Sequence, residues 1–395
     1  MRLSEGLGWL TYCQNIHPTQ TWAECRAALE GPTAAVKARI CPDAAFAVGL
    51  RFSAETLHEL APGSPGRSEL ARILTTHDFR AVTMNGFPYG PFHGTAVKEN
   101  AYRPDWTTPE RLAYTCDLAD LMAELAPPGE PLSLSTVPGT FKPWAAGREA
   151  TMAANLIAAA AHLARIEAET GVRIALAIEP EPCCFLETIA EAVAFFRDHL
   201  LTDAAVRTVA DAAGLSAGEA ARAVPRHLGL CYDVCHAAVE YEDAAASVAA
   251  LREAGIPVHK LQLSAALRVA PVHEVARRAL AVYDEPVYLH QTVASAGGGL
   301  TRYADLAEPL ARGAVSDGEE WRVHFHVPIF VEDLGAFGTT QAFLREILAM
   351  HREAPISRHL EVETYTWDVL PRHLTEAGLE AAVARELGWV CERLT

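Results

Sequence analysis

Short, β-rich apolar segments recur along the chain at 10–13, 45–51, 81–87, 132–137, 174–179, 228–233, 258–263 and 360–364. Longer stretches with helical periodicity separate them. Thr108 followed by Pro109 reads as an N-cap and first helical residue, opening a helix through about Leu125 before Pro127-Pro128. A helix from about Thr151 is expected to stop at Gly171, a C-cap position. Two more helices are expected at 340–353 and 376–393. Strand, helix, strand alternation through a whole chain argues for a parallel sheet covered by helices. Polar residues at many strand C-termini favour a closed (β/α)₈ barrel over a doubly wound sheet. The lack of a GxGxxG turn after any strand agrees, and Gly297-Gly298-Gly299 reads as a flexible loop rather than a phosphate fingerprint.

Two further strand-like segments, 285–294 and 321–331, fall between the seventh and eighth barrel units. They are expected to form a β insertion over 285–331, in the loop after the seventh strand, near the active-site mouth. No low-complexity linker interrupts the chain, so residues 1–395 are expected to form a single barrel domain. Barrels of this type average about 250 residues, and longer ones carry loop insertions.

Composition narrows the function classes. Lys and Arg number 33 against 50 Asp and Glu, a formal net charge of -17 that disfavours nucleic acid and anionic lipid as partners. The nine cysteines are scattered without zinc-ribbon or redox CxxC spacing, which fits reduced thiols in a cytoplasmic protein. Cys231 and Cys235 flank a strand end and read as small buried apolar groups. The opening MRLSEGLGWLTYC has no basic region followed by an apolar core, so no secretory signal is expected. The Ala-rich stretch 153–164, interrupted by Asn155 and His162, is too short to insert in a membrane.

In a barrel, functional groups sit where strands end, because the βα loops converge there on one mouth. Glu179 ends the run IALAI, Asp233 ends LGLCY and Glu363 closes HLEV. Each acid follows a segment too apolar to face solvent. Acids from the fifth, sixth and eighth strands converge in space and repel one another unless a cation or protons intervene. Oxygen donors of this kind point to a hard divalent metal, Mn²⁺ or Mg²⁺ rather than Zn²⁺.

The order of Glu in AIEPEP, Asp-x-x-His in YDVCH, a polar residue in the seventh strand and Glu in LEVET resembles the xylose-isomerase-like TIM-barrel superfamily. More narrowly, LTYCQNIHP, EPEPCCFLET, YLHQTV, WRVHFHVP and LEVETYTWDVLP resemble the EboE family over nearly the whole chain. EboE-type proteins are described as metabolite-traffic proteins, encoded in secondary-metabolite clusters that contain a cyclitol-forming synthase. The resemblance implies Glu179, Asp233 and Glu363 as metal ligands. Gln262, standing where relatives have a histidine, is the expected fourth ligand. It further implies His236 as a contact to substrate or metal, and His324 and His326 as additional ligands or substrate contacts. These last two face one side if VHFHV is a strand. His290, His17, Asn85 and Glu187 complete the set of candidate substrate contacts, Glu187 doubling as a helix-initiating acid. His259 belongs on the opposite strand face from Gln262. Val137 and Asn85 replace histidines of the superfamily's zinc endonucleases, so a phosphodiesterase site is not expected.

The expected activity is isomerisation or epimerisation of a small sugar, polyol or cyclitol, with Glu179 and Glu363 as the catalytic acid–base pair. The competing expectation is a non-catalytic metabolite-binding protein that keeps the barrel mouth as a ligand pocket.

Overall fold

The computed structural model describes residues 1–4 and 6–395. Its strands are β1 (Trp9–Tyr12), β2 (Phe46–Arg51), β3 (Phe79–Asn85), β4 (Leu132–Thr136), β5 (Ile174–Ile178), β6 (Leu228–Asp233), β7 (Val258–Leu263), β8 (Leu267–Val269), β9 (Thr292–Ala296), β10 (Gly299–Tyr303), β11 (Glu320–Val323), β12 (Gly338–Thr339) and β13 (His359–Val362). Eight of these form one parallel sheet in the order β1-β13-β7-β6-β5-β4-β3-β2. Its two outer strands meet where Cys13 bridges Gly49 and where Thr11 Oγ1 donates to the Ala47 carbonyl at 2.7 Å. The sheet is therefore a nearly closed barrel, as the eight apolar segments predict.

Closure depends on what fills the interior. A Cβ on Gly49 would lie 1.9 Å from Glu361 Oε2 and 2.9 Å from the Tyr12 carbonyl oxygen. Only glycine lets β2 approach a strand whose inward side chain carries a charge. Glu361 in turn meets Lys260 Nζ at 2.7 Å, both fully buried, in a layer below the strand C-termini. We assign this pair as ionic. Burial pulls both groups toward neutrality, yet Glu361 holds the Lys260 ammonium above its ordinary value.

Local signals place the helices. Pro109 occupies the first turn of the helix Pro109–Leu125, although the Thr108 side chain makes no capping bond and donates instead to the Asp105 carbonyl. The helix Glu149–Thr170 ends on Gly171 in the left-handed conformation, φ 75°. Its inner stripe, including Leu156 and Leu163, is buried against the barrel. Truncating such a leucine to alanine costs about 2–5 kcal/mol. The helix expected at 340–353 forms as Gln341–Glu353, and the last one as Leu379–Leu394 after the short helix Arg372–Thr375.

The insertion differs from expectation in detail. After β7 the chain builds a five-stranded antiparallel sheet in the order β10-β9-β11-β8-β12. Within 285–294 only the end is strand, in β9, and within 321–331 only the start, in β11. The glycine run is a turn rather than a loose loop. Ala296 pairs with Gly299, and Gly297 and Gly298 between them have φ of 56° and 82°, the backbone a two-residue hairpin needs. Residues 324–327 leave the sheet to cross toward the barrel mouth, where the Val327 amide donates to the Ala265 carbonyl at 3.0 Å.

A buried acid pins this crossing segment. Glu386, on the helix Leu379–Leu394, accepts from Thr364 Oγ1 at 2.6 Å and from the Ile329 amide at 3.1 Å. It thus joins the insertion to the residue after Glu363. Burial raises its pKa from 4.5 to about 7. The folded state therefore keeps a proton that the unfolded chain releases above pH 4.5. The resulting stability is present at low pH and disappears as pH rises through about 7. Denaturant titrations of Glu386→Gln and wild type should show the difference moving in favour of the variant by up to about 3 kcal/mol between pH 4.5 and 7.5. A difference independent of pH would contradict this.

Candidate active site

Three strand ends bring Glu179, Asp233 and Glu363 together. Glu179 follows β5, with its amide donating to the Thr136 carbonyl at 3.1 Å and Pro180 fixing the next backbone step. Asp233 ends β6 and caps the helix Val234–Val239, its Oδ1 accepting from the His236 amide at 3.0 Å and from Ser264 Oγ at 2.6 Å. Glu363 follows β13, and its Oε1 accepts from Asn15 Nδ2 at 2.5 Å and Asn85 Nδ2 at 3.1 Å. One oxygen from each acid lies within 4.8 Å of the others.

The three are buried, and their charge is poorly balanced by protein. Glu179 Oε2 and Asp233 Oδ2 have no hydrogen-bond partner, nor does either amide atom of the fully buried Gln262. Burial first, then Glu363 and Asp233, push the Glu179 carboxyl well above its ordinary range. Lys260, one layer below, acts in the opposite direction.

Beside the acids stand three imidazoles. His236 Nδ1 donates to the Pro180 carbonyl at 2.8 Å, His324 Nδ1 to Gln291 Oε1 at 2.8 Å, and His326 Nδ1 to the Glu363 carbonyl at 2.5 Å. Each Nδ1 proton is thus committed to a fixed oxygen acceptor, which leaves every Nε2 as a bare lone pair in the neutral ring. Yet His236 Nε2 lies 3.1 Å from His324 Nε2, and that atom lies 3.3 Å from His326 Nε2. Lone pairs this close repel unless a proton or cation stands among them. His324 is held well below its ordinary pKa, by burial first and then by His236 and His326. His326 is lowered, by burial. At His236 burial also acts downward and is the largest single influence, but Asp233, Glu181 and the Pro180 carbonyl outweigh it and the net direction is upward. His324 and His326 converge although they lie beyond β11, so it is the crossing loop rather than strand alternation that aims them.

The donor set fits a divalent cation on the evidence of these orphaned atoms. Glu179, Asp233 and Glu363 form one possible ligand group; Asp233, His236 and His326 form another, so Asp233 belongs to both. Cys235, read from sequence as a small apolar filler, groups with His324 and His326. The three carboxylates thus stand beside the imidazoles of His236, His324 and His326, the further candidate ligands, and imidazole suits borderline ions as well as hard ones.

Other candidates lie elsewhere. Asn85 is the exception, lining the mouth itself and donating to Glu363. Glu187 is engaged by Lys142 at 2.6 Å and Arg302 at 3.2 Å. His290 bonds Glu285 at 2.8 Å and the His324 carbonyl at 3.2 Å, which makes it a support for the crossing loop. His17 is held by the Tyr12 hydroxyl at 3.0 Å. His259 points away from the interior toward the Pro225 carbonyl, as its offset from Gln262 predicts. Sequence reasoning passed over Glu181, which accepts from Tyr102 Oη at 2.6 Å and Gln291 Nε2 at 3.0 Å and stands 3.6 Å from His324 Nδ1. The two-residue spacing of the acids in AIEPEP was the available signal.

A small cavity of about 60 Å³ lies over the site, lined by Glu179, Glu181, His236, His324 and Glu363 together with aromatic rings. Phe92, Tyr288 and Tyr365 pack on one another above it, with ring centroids 5.0–5.4 Å apart. Ordinary ligand pockets are about 300–1,000 Å³.

The fold is a (β/α)₈ TIM barrel, similar to that of xylose isomerase-like proteins. A xylose isomerase-like TIM barrel protein from Mycobacterium smegmatis, in complex with magnesium, matches with a TM-score of 0.52 and 12% identity, over 100% of this chain and 99% of its own. An IolI protein with a bound zinc atom matches at 0.48 and 12%, covering 98% of each chain. A D-tagatose 3-epimerase-like protein matches at 0.48 and 11%, over 98% of this chain and 100% of its own. At 12% identity the likeness to the Mycobacterium smegmatis protein shows the fold alone. No family model and no curated protein matches the chain. Among the described residues no helix is long and apolar enough to cross a membrane.

The choice between amide and imidazole as the remaining donor is measurable. Equilibrium dialysis should show divalent-metal affinity falling in His326→Ala by more than the about 10–100-fold that loss of an outer-shell partner costs. Gln262→Leu should stay within about threefold of wild type, well short of a lost ligand. The reverse ranking would make Gln262 the ligand.

Proposed function

We propose that this protein is a cytoplasmic, divalent-metal-dependent isomerase or epimerase of a small sugar, polyol or cyclitol. The observation that carries the reading is the burial of Glu179, Asp233 and Glu363 at the ends of β5, β6 and β13, with Glu179 Oε2, Asp233 Oδ2 and the Gln262 amide of the intervening β7 left without hydrogen-bond partners. The motifs that resemble the EboE family support a cyclitol-type metabolite within a secondary-metabolite pathway. Nine free cysteines agree with a reducing compartment.

Proton transfer next to a carbonyl needs one group to take the proton and one to return it. Glu363, oriented by the Asn15 and Asn85 amides, is placed as the base. Glu179 would return the proton. Glu179, Asp233 and Glu363, with His236 and His326 alongside, would hold the metal. When bound, the metal supplies the positive charge that steadies negative charge developing on substrate oxygen. Tyr365 and Phe92 cover the site and exclude water during transfer.

The second reading is a carrier that binds a metabolite without turnover. The Gln262 amide in place of an expected histidine favours it. Proton exchange separates the two. Incubated with Mn²⁺ and a ketose or inosose panel in deuterated water, the wild type should wash deuterium into the position next to the carbonyl. Glu179→Gln and Glu363→Gln should each slow this by about 10²-fold or more. Exchange surviving in both variants removes the acid–base assignment, and polyol binding with no exchange in the wild type establishes the carrier.

A further inference from the structure

The pole of the barrel opposite the mouth carries a cavity of about 1130 Å³ whose lining contradicts the charge of the chain as a whole. Arg173, Arg222, Arg226, Arg252 and Arg358 line it, against Glu167 and Glu219. The protein as a whole is at -17. The topology explains the cluster. Arg173 directly precedes β5, Arg226 closes the helix leading into β6, Arg252 lies in the last turn of the helix before β7, and Arg358 directly precedes β13. These four strands are consecutive neighbours in the sheet, so their starts lie side by side.

The nearby acid does not neutralise the group. Glu167 is taken up by a two-pronged contact with Arg226 and by His227 Nε2 at 3.1 Å. Arg252 donates to the Ala354 carbonyl at 3.3 Å. Among the described residues, Arg173, Arg222 and Arg358 have no ion-pair partner within 4.0 Å. Arg173 is half-buried, and burial first, then Arg226 and Arg358, hold its guanidinium below its ordinary value. The cavity also contains His359, whose buried Nε2 has no hydrogen-bond partner. A second, adjoining depression of about 430 Å³ shares Arg173, Arg226 and Arg358. Like charges gathered at a hydrated surface cost on the order of 1 kcal/mol per close pair. A multiply charged anion turns that repulsion into attraction, and guanidinium forks match its oxygens in pairs.

We propose that this pole is a binding site for a small polyanion of the phosphate-ester class, separate from the barrel mouth. The volume suits a metabolite-sized ligand, and the spread of the guanidiniums over four strand starts suits more than one phosphate group. The site is independent of the isomerase reading, since no residue of it belongs to the mouth.

Titration calorimetry of the full chain with inorganic tripolyphosphate at low ionic strength tests it. Binding should be measurable, weaken steeply with salt, and fall at least tenfold in the double variant Arg173→Gln, Arg358→Gln. The double variant Glu179→Gln, Glu363→Gln should bind as tightly as wild type, which rules out heat from contact with metal at the mouth. If the first double variant loses its circular-dichroism signature, the exposed single change Arg358→Gln should still weaken binding about threefold. No binding by wild type, unchanged affinity in the arginine variants, or preference for citrate or polyglutamate over tripolyphosphate would each overturn the proposal.

Discussion

Charge balance inside an apolar cylinder is the constraint on which this structure turns. Lys260 and Glu361 neutralise each other at 2.7 Å in one layer. The layer above holds three acids, and beside them are three imidazoles with their Nε2 atoms turned inward. Burial strengthens every one of these interactions, because the barrel wall removes the water that would screen them. Gly49 belongs to the same constraint, since any larger residue would collide with the Glu361 carboxylate and hold the first and second strands apart. The barrel closes around its charges rather than in spite of them.

The second sheet has a mechanical role in that balance. Its strands are short and antiparallel, and the product of their packing is the position of residues 324–327 above the barrel mouth. Gln291 fixes His324 from one side and Glu181 from the other, so that one amide carries orientation from Tyr102 to an imidazole. Glu386 and Thr366 hold the far end of the same segment. The insertion is thus a support that delivers two donors the barrel strands do not provide, at the place where the seventh strand offers only an amide.

The two poles are chemically opposed. Acids gather at strand C-termini and arginines at the starts of four neighbouring strands, so a surface that is acidic overall carries one basic cavity. A field of this kind separates ligands by charge. In the proposed reading a neutral polyol binds at the mouth and a polyanion at the opposite pole.

Much of this was legible in the chain itself. The eight apolar runs, Pro109 and Gly171 determined the barrel and its helix limits, because burial on both faces and backbone restriction are local properties. The strand-end rule located Glu179, Asp233 and Glu363 for the same reason, since position within a strand sets which end a side chain occupies. Other features needed the folded chain. His324 and His326 meet His236 through a crossing loop whose path no periodicity encodes. Glu181 and Cys235 lie inside motifs legible in the chain, yet the partners of Glu181, Gln291 and Tyr102, and the neighbours of Cys235, His324 and His326, come from distant segments. The glycine turn of β9 and β10 was readable only as a loop, because pairing and not composition makes it a hairpin. Sequence determined which residues reach the barrel ends; tertiary structure decided which of them meet, because contacts between segments far apart in the chain follow from packing alone.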